Sequence, residues 1–150
     1  MGIDGFKKIK GRKRTALVDV LGLVLKCYVG AANQADVKAA PCVLLSYLEM
    51  HERMAKILAD QGYQGNLEED LEAVYGVEFE VVTHKRRGFS VQAKRWIVER
   101  TWAWLDNNRG LSRDYERLAE NYEGMVYAAM IRLMLRRLEN NRRRWKKEDA

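Results

Sequence analysis

Proline occurs once in this chain of 150 residues, and cysteine and histidine twice each. Cys27 and Cys42 stand in apolar stretches with no Cys or His neighbour at ligand spacing. That excludes a disulfide framework and a zinc site, and reads as two reduced core thiols in a cytoplasmic protein. With Pro41 alone, no proline-rich linker divides the chain, and no repeat or low-complexity segment does so either. A single domain spanning 1–150 is expected, long enough to bury a core. No run reaches the roughly 18 to 20 apolar residues of a membrane span, so no membrane partner is expected. The N-terminus opens on charge rather than on a signal-peptide core. His51 and His84 have no Ser or Cys placed as a partner nucleophile, and neither the P-loop nor the dinucleotide fingerprint occurs.

What the chain has is positive charge. Its 27 Lys and Arg outnumber 21 Asp and Glu, for a formal charge of +6. The excess gathers in two basic arms, one over residues 7–14 (Lys7, Lys8, Lys10, Arg12, Lys13, Arg14) and one over 142–147. Lys85, Arg86 and Arg87 form a shorter basic loop. Such runs suit a phosphate backbone, whose attraction is sequence-independent and salt-sensitive. The plainer reading is a pair of solvated arms.

Hydropathy patterning predicts a hairpin from strands 14–20 and 23–31, with Gly22 supplying the turn. Residues 33–36 are able to cap a helix over 37–51 that carries Pro41 near its first turn. A short buried strand, 56–59, ends at Asp60. A glycine-rich turn follows, then a helix over 67–75 capped by Asn66 and stopped by Gly76. Residues 77–83 alternate as a strand. A further helix runs through Glu99, and 125–138, apolar almost all round, predicts a buried helix whose methionines fill core. Helices against a sheet make this an α/β fold.

Two acidic positions stand out. Helical geometry sets Ile97, Val98, Thr101, Trp104 and Leu105 on one arc, with Arg95, Glu99, Trp102 and Asp106 on the neighbouring stripe. Glu99 thus lies beside an apolar arc, one turn from Arg95; the bland alternative is a surface i,i+4 pair. Asp60 closes a strand just before Gly62, at the strand end where open α/β sheets place ligands, or else simply starts a turn. Two carboxylates in a basic frame are what metal-assisted phosphoryl transfer requires, because hard Mg²⁺ ions take oxygen ligands.

Several segments carry a family resemblance when taken in order: 7–14, 18–23, the run Ala59-Asp60-Gln61-Gly62-Tyr63-Gln64-Gly65, the run Arg95-Trp96-Ile97-Val98-Glu99-Arg100-Thr101, and 111–116. From Gly2 to about Asn140 the chain resembles the C-terminal part of bacterial insertion-sequence transposases of the DDE type. Within these it is similar to insertion-sequence family five, with an IS-four-like catalytic domain. The resemblance implies a ribonuclease-H-like mixed sheet with flanking helices, which cuts DNA and transfers strands through a metal-bound Asp-Asp-Glu triad.

Asp60 matches the second triad member, Glu99 the third, and Arg95 the arginine four positions before that glutamate. Gln92 stands where the family's signature has tyrosine, and Asp106 where it has lysine, a cationic role that Arg109 is placed to take. The first aspartate belongs to a strand ahead of the 7–14 run; Asp4 lies in a loop, and Asp19 on the hairpin is not the triad member by motif position. The resemblance therefore implies a sheet lacking its first central strand, with a gap between the hairpin and the Asp60 strand. It implies Mg²⁺, or Mn²⁺ in its place, as cofactor. The implied partners are insertion-sequence ends and target DNA, an upstream-frame transposase segment, and further copies in an oligomer. Taken alone, the chain is expected to be catalytically silent. The alternatives are a non-catalytic DNA-binding remnant and a ribonuclease-H-like nuclease.

Overall fold

Between Lys10 and Ala31 the side chains alternate between two apolar surroundings, and this alternation builds the centre of the molecule. The computed structural model describes residues 2, 3, 8, 10–65, 67–82 and 95–148, the last eight by backbone alone. Asp4, Lys7, Asn66, Lys85, Arg86, Arg87 and Gln92, and the side chains of 142–147, lie outside the described residues.

Strands β1 (Gly2–Ile3), β2 (Lys10–Val18) and β3 (Val24–Ala31) form an antiparallel sheet in that order. Helix α1 (Asp36–Leu48) follows, then β4 (Lys56–Ala59), α2 (Leu67–Tyr75), β5 (Glu78–Val81), α3 (Arg95–Asp106) and α4 (Ala119–Glu148). Strands β4 and β5 pair in parallel as a second, two-stranded sheet. Among the described residues no strand joins β2 to β4, and the two sheets are separate.

The period of two on β2 and β3 sorts side chains onto opposite faces. Leu17 points into a core with Val43 and Leu44 of α1, Ile57 of β4, Leu71 of α2 and Phe79 of β5. Cys27 and Val29 point the other way, into a core with Leu105 of α3, Leu111, and Tyr122, Val126 and Met130 of α4. The hairpin is therefore a wall between two cores.

The turn is wider than the two residues expected. Val18 pairs with Val24 after a register shift, and the Asp19 carbonyl accepts from Gly22 N–H at 3.0 Å. Asp19 Oδ1 accepts from the N–H groups of Leu21 and Leu23 at 2.9 and 2.8 Å. That aspartate is a turn-former. Gly22 sits at φ +78°, and a Cβ there would stand 2.8 Å from Thr101 Oγ1. The Thr101 hydroxyl, fully buried, lies 2.8 Å from the Gly22 carbonyl and so docks α3 onto the hairpin. Gly22→Ala combines left-handed backbone with this close approach; it is expected to cost about 1–3 kcal/mol, read as a lower urea midpoint at unchanged m-value.

Three expectations are corrected. Helix α1 begins at Asp36 from an Ala35 cap without a side-chain bond, and Pro41 falls beyond its first turn. Asp36 instead binds Lys13 Nζ at 2.6 Å, a tertiary pair that local capping rules do not foresee. Cys42 is exposed on α1 while Cys27 is buried, its thiol pushed up to about 12 by burial and by the nearby Glu123. Helix α4 starts six residues before the apolar run and buries only one face, leaving Ile131, Leu135 and Leu138 exposed. Among the described residues, no helix is long and apolar enough to cross a membrane.

Candidate active site

Strand β4 delivers Asp60 and helix α3 delivers Glu99, and both border one cleft. The cavity, about 370 Å³, opens between β2 and β4, with α1 along one side and α3 along the other. Asp60, Glu99 and Arg95 all line it, together with Lys13, Asp36 and Tyr63.

Asp60 ends β4 in extended conformation and caps the following 3-10 turn (Gln61–Tyr63), its Oδ1 accepting from Gly62 N–H at 3.1 Å. The turn-starting role and the strand-end position therefore coexist in one residue: the N–H bond uses Oδ1, and the side chain still borders the cleft. Arg95 Nε donates to Glu99 Oε1 at 3.2 Å, with 65% of the Glu99 side chain exposed. An exposed i,i+4 pair adds a few tenths of a kcal/mol to the helix, so its consequence is orientation rather than stability. Helix α3 continues past Glu99 to Asp106, which keeps the glutamate away from a fraying end.

Asp36, read from sequence as part of a helix cap, is the acid that local reasoning missed. A Cβ on Gly62 would stand 2.8 Å from Asp36 Oδ2 and 3.2 Å from Asp60 Oδ1, so two carboxylates flank this glycine. Lys13 neutralises Asp36 from the β2 side. Only the juxtaposition of β2, α1 and the turn after β4 brings these groups together. Tyr63, beside them, is held protonated: burial first, then the Asp36 charge, pushes its phenol up to about 12, although a hydrogen bond with Thr15 opposes this. It is a neutral hydrogen-bonding group and not a base.

The basic residues divide by what they already hold. Arg12 Nη1 donates to Asp114 Oδ2 at 3.1 Å and to the Glu116 carbonyl at 2.9 Å, and Nη2 donates to the Arg117 carbonyl at 2.6 Å. It straps the segment before α4 to the sheet. Arg14 donates to Asp106 Oδ1 and Tyr122 Oη, both at 3.0 Å, and lies 4.7 Å from the Trp102 ring centroid. Burial works against its charge, but Asp106 and Tyr122 outweigh that and raise its pKa. Asp106, the acid at the signature's lysine position, is thereby explained: it is the counter-charge that ties α3 to β2. Lys8, Lys10 and Arg109 are exposed. Residues 10–14, expected as part of an arm, are strand β2.

The donor chemistry of Asp60 and Glu99 suits a hard divalent cation, which binds through one or two carboxylates and keeps several waters. Among the described residues, no group of three or more His, Cys, Asp or Glu side chains is arranged to hold a metal ion. The cleft is thus bordered by the carboxylates of Asp60 and Glu99, with Asp36 a third acid already paired to Lys13.

Residues 57–136, just over half of the chain, match the family described as Transposase DDE domain. The match begins on β4 and takes in both Asp60 and Glu99. No curated protein and no solved structure matches the chain.

Proposed function

Because this chain belongs to the transposase DDE-domain family, we propose that it carries the second and third acids of a ribonuclease-H-like catalytic centre for DNA transposition, in the manner of insertion-sequence family five and its IS-four-like domain. The observation that carries the reading is that Asp60 and Glu99, far apart in sequence and on different elements, line one cleft with Arg95 beside them. Asp60 and Glu99 are the residues that would hold Mg²⁺ or Mn²⁺, and a metal there supplies Lewis-acid stabilisation of the attacking and leaving oxygens of a phosphodiester. Arg95 acts as a positioning residue: its Nε–H fixes the Glu99 carboxylate, and its guanidinium at the cleft rim suits a phosphate oxygen. The cleft wall formed by Val98, Trp102 and Leu17 limits water on the apolar side.

With two such donors from described residues, the 150-residue chain by itself is expected to leave DNA intact with Mg²⁺ or Mn²⁺. A form carrying further polypeptide ahead of Gly2, such as an upstream-frame segment, is expected to nick DNA bearing the element's ends and to join them to target DNA. Robust cleavage by the chain alone would overturn the two-donor reading and direct attention to Asp36. Absence of cleavage by the extended form, with DNA binding retained, would favour a non-catalytic DNA-binding protein.

DNA contact is assigned to the exposed cations Lys8, Lys10 and Arg109, with Lys7, Lys85, Arg86 and Arg87 as further candidates in the same frame; Lys13 already holds Asp36. Arg12 and Arg14 were expected in this set, but their donors hold Asp114 and Asp106. The two groups are expected to separate on substitution. Lys10→Gln weakens binding equally across DNA sequences, lowers the salt slope by about one unit and leaves stability unchanged. Arg12→Gln lowers stability by about 1–2 kcal/mol, since carbonyl and carboxylate partners lose their donor, with little change in slope. A salt titration and a urea melt of each variant check this. Equal effects of both substitutions on the slope would place Arg12 at the phosphates.

A further inference from the structure

Helix α4 presents two apolar stripes, and the fold uses one of them. Tyr122, Val126 and Met130 pack with Cys27 and Val29 of β3 and Leu105 of α3. The other stripe is Gly124, Ala128, Ile131, Leu135 and Leu138, all exposed. Its three large side chains are 52%, 61% and 65% exposed, and a Cβ on Gly124 would meet nothing within 4 Å. At 3.6 residues per turn the five positions fall within an arc of about 80°, well off the buried face. Single exposed apolar side chains are ordinary, but a row of them along one helix face marks an interaction surface.

The spacing of this stripe is a palindrome. Glu120, also exposed, extends it at one end, and positions 142 and 146 continue the same arc along the helix backbone at the other. From 120 to 146 the steps are 4, 4, 3, 4, 3, 4 and 4. A stripe that reads alike in both directions matches itself when a second α4 is laid across it head to tail. We propose that α4 joins two copies of this chain into an antiparallel pair, with the two-fold axis beside position 133. A two-fold contact uses the same patch on both copies, so the patch must be complementary to itself. In this register Ile131 faces the partner's Leu135, and Ala128 faces the partner's Leu138. The steps from Gly124 to Leu138, 4, 3, 4 and 3, are those of a coiled-coil seam.

Charge fixes the direction and the identity of the partner. Glu120 lies in the first turn of α4, and the basic run 142–147 belongs to its last turns. Head-to-tail pairing sets the basic end of each helix beside the acidic start of the other, at both ends of the contact. The helix dipoles favour the same arrangement, because the positive start of one helix meets the negative end of its neighbour. A parallel pair would lay the two basic runs side by side, which like-charge repulsion opposes. A lipid surface would accept the apolar centre, but it gives no reason for palindromic spacing or for an acid at one end. With 30 residues α4 is about 45 Å long, and the stripe from 120 to 146 spans most of it.

The inference does not rest on the DNA chemistry proposed above, and its readouts need neither DNA nor metal. Sedimentation equilibrium of the 150-residue chain is expected to show a monomer–dimer equilibrium, with dimer prevailing at concentrations on the order of 50 µM. Leu135→Glu puts a charge into two central layers at once and is expected to weaken the pair by about thirtyfold or more. Leu135 is exposed in the single chain, so the urea midpoint of dilute protein is expected to stay that of the parent. Glu120→Lys is expected to weaken the pair about three- to tenfold, and less so at high salt. Direction is read by disulfide cross-linking in a Cys42→Ser background, which removes the exposed native thiol. Ala128→Cys chains mixed with Leu138→Cys chains are expected to cross-link on oxidation, and neither variant with itself, because cysteines bridge only when their Cα atoms come within about 7 Å. A monomer at every concentration, or a dimer untouched by Leu135→Glu, would overturn the α4 contact. Cross-linking of each variant with itself would mean a parallel pair and overturn the two-fold register.

Discussion

Glu99→Gln and Asp60→Asn are each expected to lower metal-dependent strand cleavage by roughly three orders of magnitude, measured on the chain extended ahead of Gly2. Each change keeps the shape of the side chain and an oxygen acceptor. After Asp60→Asn the amide oxygen would still accept from Gly62 N–H, and after Glu99→Gln it would still accept from Arg95 Nε. What is lost is one negative charge facing the cleft. Because Glu99 is largely exposed and its pair with Arg95 contributes little to the helix, melting and DNA affinity are expected to stay close to those of the parent. That separation is the diagnostic result. A fall in cleavage matched by equal falls in melting temperature and DNA affinity would mean that the two acids hold up the fold, and the catalytic assignment would go.

Leu105→Ala is expected to have the largest effect on stability, a loss of about 2–5 kcal/mol in a urea melt. Leu105 is only 2% exposed and lies where α3 meets β3 and α4, among Cys27, Leu111, Tyr122 and Val126. Its neighbours come from separate segments, so the space left by truncation is not easily refilled by one side chain. The same residue follows Glu99 on α3, on the buried face rather than the cleft-facing stripe. Loosening it releases the helix that aims the glutamate, so cleavage by the extended chain is expected to fall along with stability. A loss below about 1 kcal/mol would show that the second core does not depend on the contact between α3 and α4.

Element types were legible in the sequence because they rest on local periodicity. The alternation of 14–20 and 23–31, the short run before Asp60, and the arc of Ile97, Thr101 and Leu105 each predicted the type of element found. Boundaries were less legible. Helix α4 gains Ala119 to Gly124 because Tyr122 and Glu123 are held by tertiary partners, Leu111 and Val29, that no local rule anticipates. The hairpin strand extends back through Arg12 for the same reason: its guanidinium finds Asp114 and two carbonyls far along the chain. Counting that arginine among the DNA contacts was reasonable from charge clustering, which tells how many cations are near one another but not which of them are already paired.

The candidate site divides in the same way. Residue types and motif spacing were enough to single out Asp60, Arg95 and Glu99, since a strand-ending acid before a glycine turn and an Arg–Glu pair on one helix stripe are local features. By itself the sequence determined the α/β class, the basic character, the hairpin and the identity of those three side chains. Only the tertiary structure decided that the acids share a cleft, that Asp36 joins them, that Arg12 and Arg14 are internal ties, and that the two sheets stand unjoined on either side of that cleft. The physical reason is range. Hydrogen-bond ladders and helical faces are set by neighbours a few positions apart, whereas ion pairs, cleft walls and strand edges are set by segments that meet only after the chain has folded.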